Sequence, residues 1–210
     1  MSACAREYSD MSVEAYATVM AAVADGHRGA PDGLSLEIGT SRGGTALGAL
    51  QQLRRIYGPE PPPFITVDPY GGKAHYRTDT TACLDGATGR GIYSESFYQH
   101  MKRVLAEFGN HHHFSLTSTD FISALLARAN LWQYGKPRLL SGFAYILLDG
   151  DHNATTIDLE VVHLYPHLCS GGVMLADDVN HDPKTVPTLR ARGLPFELLL
   201  DGRMAIWRKR

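Results

Sequence analysis

The chain has 210 residues, enough for one domain with a substantial core, and its formal net charge of −2 includes no basic stripe typical of nucleic-acid binding. We find no apolar run near the roughly 20 residues of a membrane span and no signal-peptide pattern. Cys4, Cys83 and Cys169 are scattered and form no CxxC pair, which indicates neither a zinc site nor a disulfide framework. We therefore expect a cytoplasmic protein without nucleic-acid or membrane partners.

The first part of the chain alternates helical and strand patterns. A helix is predicted over residues 12–24, with Ser12 as its N-cap and Gly26 as its end. After it the sequence predicts a strand, a helix and a second strand over residues 33–39, 43–58 and 63–68.

Residues 70–92 interrupt this alternation, because they are polar, glycine-rich and without periodicity. So long a connection is typical of a functional or disordered loop.

The pattern then resumes with helices over 93–109, 119–132, 153–168 and 182–192 and strands over 112–118, 143–149 and 171–178. Residues 196–209 form two apolar strands around Asp201-Gly202, a hairpin signal. Such alternation predicts an α/β fold with a mostly parallel sheet and helices on both faces.

The segment "LEIGTSRGGT", Leu36 to Thr45, joins a strand to a helix through glycines. Glycine permits a tight turn and a close approach to a ligand, and the helix N-terminus presents unpaired amides. A dinucleotide fingerprint would need glycine at Ser41, and the negative charge of Glu37 favours a cationic ligand over pyrophosphate. The segment indicates a nucleotide site, with a βα turn that binds nothing as the alternative.

Asp68 ends the second predicted strand. An acidic residue there is typical of a hydrogen bond to ribose hydroxyls. The alternative is a simple strand-end turn, because Asp-Pro sequences commonly start turns.

Carboxylates also end two later strands, at Asp149 and at Asp177-Asp178. Neighbouring parallel strands place their carboxyl ends together, so these groups would repel one another unless a cation neutralises them. An oxygen-only set of ligands suits Mg²⁺ or a similar ion. The alternative is that acids such as Asp151 and Asp182 cap the following helices, which would leave the pair Asp177-Asp178 unexplained.

His152 or Asp151 could act as a base beside this cluster, because a histidine titrates near neutral pH. Helix capping or a surface position is an equally plausible role for His152. The three adjacent histidines His111 to His113 cannot all face one ion from a strand, so we interpret them as the entry to a strand.

The segments "LEIGTSRGGT", "VDPYG", "LLDGDH" and "GGVMLADDV", in this order and spacing, resemble class I S-adenosylmethionine-dependent methyltransferases. More narrowly, they are similar to the metal-dependent O-methyltransferases, which include the catechol type, the bacterial macrolide and aminocoumarin sugar enzymes and, nearby, a cephalosporin-hydroxylase-like group. The resemblance covers residues 34–208 and implies a Rossmann-like, doubly wound sheet of seven strands with a C-terminal antiparallel hairpin. It divides the chain into an N-terminal helical cap segment, residues 1–33, and a methyltransferase domain, residues 34–210.

The resemblance also implies roles for particular positions. The methionine end of S-adenosylmethionine would lie against Glu37, Gly39, Ser41 and Thr45, its ribose on Asp68, and its adenine by Ser118 and Thr119. Asp149, Asp177 and Asp178 match the positions that bind the metal, with Asp149 also beside the cofactor. The catechol type has asparagine where this chain has Asp178 and a lysine base where it has His152. In the sugar enzymes the base resembles His152 or Asp151, and we favour His152.

The resemblance therefore predicts Mg²⁺-dependent methyl transfer to a hydroxyl of a small molecule, such as a natural-product sugar or a catechol. The short segment before the first strand leaves sugar specificity open, and a homodimer could complete the substrate pocket. Two alternatives remain at this point: a metal-independent N- or carboxyl methyltransferase, and a nicotinamide-dependent oxidoreductase.

Overall fold

A computed structural model of the chain describes residue 9 and residues 11–70, 95–126 and 142–210. Its described strands are β1 (Leu34–Ile38), β2 (Phe64–Val67), β3 (His111–Phe114), β4 (Phe143–Leu148), β5 (Leu168–Ala176), β6 (Glu197–Leu199) and β7 (Met204–Arg208). They form one sheet in the order β3-β2-β1-β4-β5-β7-β6. All neighbours are parallel except β7, which is antiparallel to β5 and β6. The predicted seven-stranded α/β fold with its closing hairpin is confirmed.

Six described helices cover the two faces of this sheet. They are α1 (Val13–Gly29), α2 (Gly44–Tyr57), α3 (Glu95–Leu105), α4 (Ser118–Leu126), α5 (Ala154–Leu164) and α6 (Thr185–Ala191). None of them is long and apolar enough to cross a membrane. Most of the predicted loop 70–92 and the second half of the predicted helix 119–132 lie outside the described residues.

The alternation of side chains along β4 divides the core into two layers. Tyr145 and Leu147 are buried against α1, α2 and α3, whereas Ile146 and Leu148 are buried against α4, α5 and α6. All four side chains are almost completely inaccessible. A strand buried on both faces explains the continuous apolar run that precedes Asp149, and burial of each such side chain stabilises the fold by about 1.5–3 kcal/mol.

Helix α1 begins as predicted, because the Ser12 side chain accepts a hydrogen bond from the backbone amide of Ala15 at 3.2 Å. The predicted end at Gly26 is wrong, since the helix continues to Gly29. A side chain at Gly26 would place its Cβ 2.3 Å from the carbonyl oxygen of Ala144 in β4. This glycine therefore permits close helix–strand contact, and the helix is part of the layer that covers the sheet. The division into a cap segment and a domain stays a prediction.

Two helices begin at residues other than those the sequence predicts. The helix predicted from residue 119 begins at Ser118, and the Thr117 hydroxyl caps it by accepting a hydrogen bond from the amide of Asp120 at 3.0 Å. The helix predicted from residue 182 begins at Thr185. Both errors concern the exact first residue, the part of an element that sequence patterns define least.

His27 lies buried between α1 and β1, where its Nε2 is 2.7 Å from the Ser35 hydroxyl and its Nδ1 is 3.1 Å from the Tyr57 hydroxyl. Burial lowers its pKa to about 4. Because an unfolded histidine has a pKa near 6.5, the unfolded state binds this proton more readily. The contribution of His27 to stability is therefore fully present above about pH 6.5 and is lost as the pH falls toward 4.

The free energy of unfolding of the wild type should fall between pH 7 and pH 4, because His27 takes up a proton only in the unfolded state. Over the same range the free energy of unfolding of His27→Gln, which has no such proton, should fall by about 2–3 kcal/mol less. Urea unfolding at the two pH values measures the difference. The same substitution at exposed His181 is the control and should follow the wild type. Equal losses in the wild type and His27→Gln would contradict the assignment.

Candidate active site

The predicted glycine turn lies at the carboxyl edge of the sheet, between β1 and β4. Gly39 has a left-handed φ of +86°, and a Cβ there would lie 2.0 Å from the carbonyl oxygen of Asp149. The amide of Asp149 donates to the carbonyl of Ile38 at 2.8 Å, which joins the two strand ends. In the strand order β2-β1-β4-β5 the crevice beside β1 is a topological switch point, where open α/β sheets bind ligands.

The residues after Gly39 complete the turn into α2. Ser41 also has a left-handed backbone, with φ +47°, and its carbonyl accepts a hydrogen bond from the Tyr70 hydroxyl. Thr45 lies buried in the first turn of α2, where its hydroxyl is 3.2 Å from that of Ser9. The turn therefore keeps backbone amides and small side chains at the edge of the crevice.

Asp68 follows β2 and is buried beside this turn. Its Oδ2 accepts hydrogen bonds from the amides of Thr40 at 2.9 Å and Ser41 at 3.0 Å. Its Oδ1 is buried and has no hydrogen-bond partner among the described residues. Burial raises the pKa of this carboxyl to about 7, although the two amide hydrogen bonds act in the opposite direction. An acceptor without a partner is thus available for a ligand hydroxyl.

Glu37 and Asp149 lie on the same face of the sheet, the one covered by α1 and α2, because alternate residues of a strand share a face. Both carboxylate oxygens of Glu37 are buried without a hydrogen-bond partner in the part of the chain that the structure describes. Burial raises the pKa of Glu37 well above its usual range, and the charge of Asp68 adds to this shift. The pKa of Asp149 is likewise raised by burial and then by the charges of Asp177, Glu37 and Asp178.

The pair Asp177-Asp178 lies next to this group but already has a cation. Arg203 donates from Nε to Asp177 Oδ1 at 3.0 Å and from Nη2 to Asp177 Oδ2 at 2.8 Å. Its Nε also lies 2.9 Å from Asp178 Oδ1. Asp177 is completely buried, and Asp178 has a left-handed φ of +50°. These contacts raise the pKa of Arg203, chiefly through its hydrogen bonds to Asp177.

The predicted metal ligands do not fit a divalent ion in this arrangement. Asp149, Asp177 and Asp178 supply suitable oxygen donors, but both oxygens of Asp177 are bound to the Arg203 guanidinium. Within residues 11–70, 95–126 and 142–210, no three His, Cys, Asp or Glu side chains are arranged to hold one metal ion. Metal binding at these three positions stays a prediction of the sequence.

The two candidate bases have different surroundings. Asp151 accepts hydrogen bonds from the amide of Asn153 at 3.1 Å and from the Thr156 hydroxyl at 3.1 Å, so its carboxylate supports the start of α5. His152 instead extends toward the acid cluster, with Nε2 3.9 Å from Asp178 Oδ2. Its side chain is 26% exposed, which makes it accessible to a substrate. The role of His152 or Asp151 as the base stays a prediction.

The two residues expected near an adenine lie at the start of α4, beyond β3. Thr119 is exposed. The Ser118 side chain lies beside buried Glu160 of α5. Burial raises the pKa of Glu160 to about 8, although the neighbouring Ser118 acts to lower it. Both positions lie after the carboxyl end of β3, and their contact with a cofactor stays a prediction.

Sequence reasoning missed Arg203, whose position follows from the strand pairing in the structure. The antiparallel register pairs Ala176 of β5 with Ala205 of β7, and two residues further this register sets Asp178 opposite Arg203. The sequence also gives no indication that Tyr70 contacts the glycine turn. The Tyr70 ring packs 5.3 Å from the rings of both Tyr98 and His113 while its hydroxyl contacts the turn.

The chain is similar in fold to several solved methyltransferases. The O-methyltransferase NovP has a TM-score of 0.67 at 17% identity, covering 97% of this chain and 83% of that protein. CalS11, a calicheamicin methyltransferase that acts as a TDP-rhamnose 3'-O-methyltransferase, has a TM-score of 0.63 at 17% identity, covering 91% and 79%. A Bacillus cereus O-methyltransferase in complex with SAH has a TM-score of 0.57 at 13% identity, covering 98% and 86%. These likenesses establish the fold.

No curated protein matches the chain in sequence. The profile of the methyltransferase domain, in contrast, matches residues 36–179, from the glycine turn to just beyond Asp177-Asp178. The match includes more than half of the 210 residues and all four segments on which the resemblance rested. The expectation of a nicotinamide-dependent oxidoreductase is thereby set aside, and the chain belongs to the methyltransferase domain family.

Proposed function

We propose that this protein is an S-adenosylmethionine-dependent O-methyltransferase that acts on a hydroxyl group of a small molecule. The observation that carries the proposal is a set of buried carboxylate oxygens without partners at the glycine turn, on Glu37 and on Asp68. Buried polar groups are normally hydrogen-bonded, so such atoms at the carboxyl edge of the sheet indicate a ligand that completes them.

The chemistry of these acceptors fits the cofactor. A carboxylate at Glu37, with Asp149 on the same face, suits the ammonium and sulfonium charges of the methionine end. The Tyr145 hydroxyl is also buried there, and its pKa is raised well above its usual range by burial and then by Glu37, Asp149 and Asp177. A cationic ligand would relieve this convergence of negative charge. Asp68 Oδ1 would accept from a ribose hydroxyl while Oδ2 keeps the turn in place.

The proposed reaction needs a base beside the methyl group. Bound S-adenosylmethionine would supply an electrophilic methyl carbon on a sulfonium. His152 would accept the proton of the acceptor hydroxyl as the oxygen forms its bond to that carbon and the carbon–sulfur bond breaks. Asp178, with Oδ2 3.9 Å from His152 Nε2, would stabilise the imidazolium that results.

The solved structures support the choice of oxygen as acceptor. NovP and the Bacillus cereus protein are named O-methyltransferases, and CalS11 methylates a nucleotide-linked rhamnose. A sugar hydroxyl or a catechol of a natural product is therefore the acceptor class that we propose. Mg²⁺ dependence, which the sequence predicts, is not part of this proposal, because Arg203 binds both carboxylate oxygens of Asp177.

The test is calorimetric. S-adenosylhomocysteine is titrated into EDTA-treated protein and again with Mg²⁺ present, and we expect saturable binding in both conditions. NADH is the negative control. Absence of binding to S-adenosylhomocysteine would contradict the proposal, whereas the titration with Mg²⁺ shows whether cofactor binding depends on the ion.

We expect Asp68→Asn to weaken S-adenosylhomocysteine binding by about 10- to 100-fold. Asparagine has no negative charge, and only one of its two terminal atoms accepts hydrogen bonds, whereas one oxygen of Asp68 binds the turn and the other is proposed to bind the ribose. The matched control is Asp201→Asn in the exposed β6–β7 turn, where asparagine tolerates the left-handed backbone and affinity should not change. Equal affinity of Asp68→Asn and the wild type would remove Asp68 from the cofactor site.

A further inference from the structure

Arg203 reaches the acid cluster because of the shape of the β6–β7 turn. Leu200, Asp201 and Gly202 all have left-handed backbones, with φ of +52°, +54° and +88°. The amide of Arg203 donates to the carbonyl of Leu200 at 3.1 Å, and its carbonyl accepts from the amide of Val179 at 2.8 Å. The backbone of Arg203 is therefore fixed from both sides, and its side chain begins next to the end of β5.

The guanidinium contacts both neighbouring acids. It forms a two-point contact with Asp177, whose side chain is 1% exposed, and reaches Asp178 with the same Nε. Fork-like pairing of arginine with a carboxylate is strong and directional, and an arginine is always charged. A divalent ion at Asp177 would first have to displace this guanidinium and leave it in a partly buried place without a partner.

We propose that Arg203 is the resident cation of this acid cluster and takes the place that the sequence assigns to a divalent metal ion. The acids then fall into two groups. Asp177 and Asp178 are neutralised by Arg203, whereas Glu37 and Asp149 are left for the positive charges of a cofactor. Because Arg203 contacts Asp178 at Oδ1, it also keeps Oδ2 of that residue turned toward His152, which makes Arg203 a positioning residue.

The test uses Mn²⁺ and Mg²⁺ alone, without cofactor, on EDTA-treated full-length protein. Electron paramagnetic resonance should detect no saturable Mn²⁺ binding to the wild type below about 1 mM, and Mg²⁺ should not change its melting temperature. Arg203→Met should melt about 5–10 °C lower, because it leaves two carboxylates without a cation. In this variant Mn²⁺ should bind at least about 10-fold more tightly than in the wild type, and Mg²⁺ should restore part of the lost melting temperature.

Arg208→Met is the matched control, because Arg208 is the exposed last residue of β7 and its ion pair among the described residues is with the partly exposed Asp25, at 3.4 Å. It should show neither loss nor rescue by metal. Tight binding of one Mn²⁺ to the wild type would overturn the proposal, as would an Arg203→Met protein that is destabilised but gains no affinity for metal. If that variant does not fold, the wild-type titration decides alone. Since no step uses S-adenosylhomocysteine, failure here leaves the cofactor proposal intact.

Discussion

Replacing Gly39 with alanine should abolish binding of S-adenosylhomocysteine and lower the free energy of unfolding by about 3–5 kcal/mol. The added Cβ would lie 2.0 Å from the carbonyl oxygen and 2.4 Å from the carbonyl carbon of Asp149. Both atoms belong to the backbone at the end of β4, so neither can move aside as a flexible side chain would. The left-handed φ of +86° adds a conformational cost for any residue other than glycine.

Gly193→Ala separates these two contributions. Gly193 has a similar φ of +70°, but nothing lies within 4 Å of the Cβ that alanine would add. We expect a loss of only about 1–2 kcal/mol and unchanged affinity. Chemical unfolding and calorimetry measure both variants. If Gly39→Ala binds S-adenosylhomocysteine as the wild type does, or is no less stable than Gly193→Ala, the turn is not built as described.

His152→Gln should reduce methyl transfer by about 10²- to 10⁴-fold and leave the affinity for S-adenosylhomocysteine unchanged. The imidazole is the proposed proton acceptor, and it lies outside the cofactor contacts assigned to Glu37 and Asp68. The measurement is transfer of an isotopically labelled methyl group to catechol and to TDP-rhamnose as acceptors, with binding determined separately.

The matched control for this prediction is His181→Gln. The His181 ring lies 6.1 Å from that of His152, so the control makes the same substitution nearby without removing the proposed base. Its rate should stay close to that of the wild type. If His152→Gln keeps the wild-type rate with these hydroxyl acceptors, His152 is not the base, and Asp151 becomes the candidate for that role.

Much of the site could be predicted from local sequence. Glu37, Asp68, Asp149 and Asp177 each lie at or near the end of a strand with a strong apolar pattern, and parallel strands bring their carboxyl ends to one edge. The faces that these residues share follow from the two-residue period of a strand. No long-range information is needed for either inference.

The rest depended on contacts between distant segments. Arg203 meets Asp177 only because β7 inserts between β5 and β6 in one register, which a local pattern cannot specify. Gly26 looked like a helix end because the sequence does not reveal that β4 passes within contact distance of it. No motif in the sequence identifies the acceptor. Of the predicted loop 70–92, only Tyr70 lies among the described residues.

The glycines along α1 have a consequence for how such an enzyme can diversify. Gly26 contacts Ala144, and Gly29 lies against Gly171, where a Cβ on either glycine would meet the carbonyl oxygen of the other within 2.4 Å. These contacts lie near the amino ends of β4 and β5, at the opposite end of the sheet from the carboxylates. The backbone seam that fixes the layer is therefore spatially separate from the carboxyl edge of the sheet. Mutations can accumulate at that edge without disturbing the seam, which tolerates almost no added side chain and preserves the scaffold.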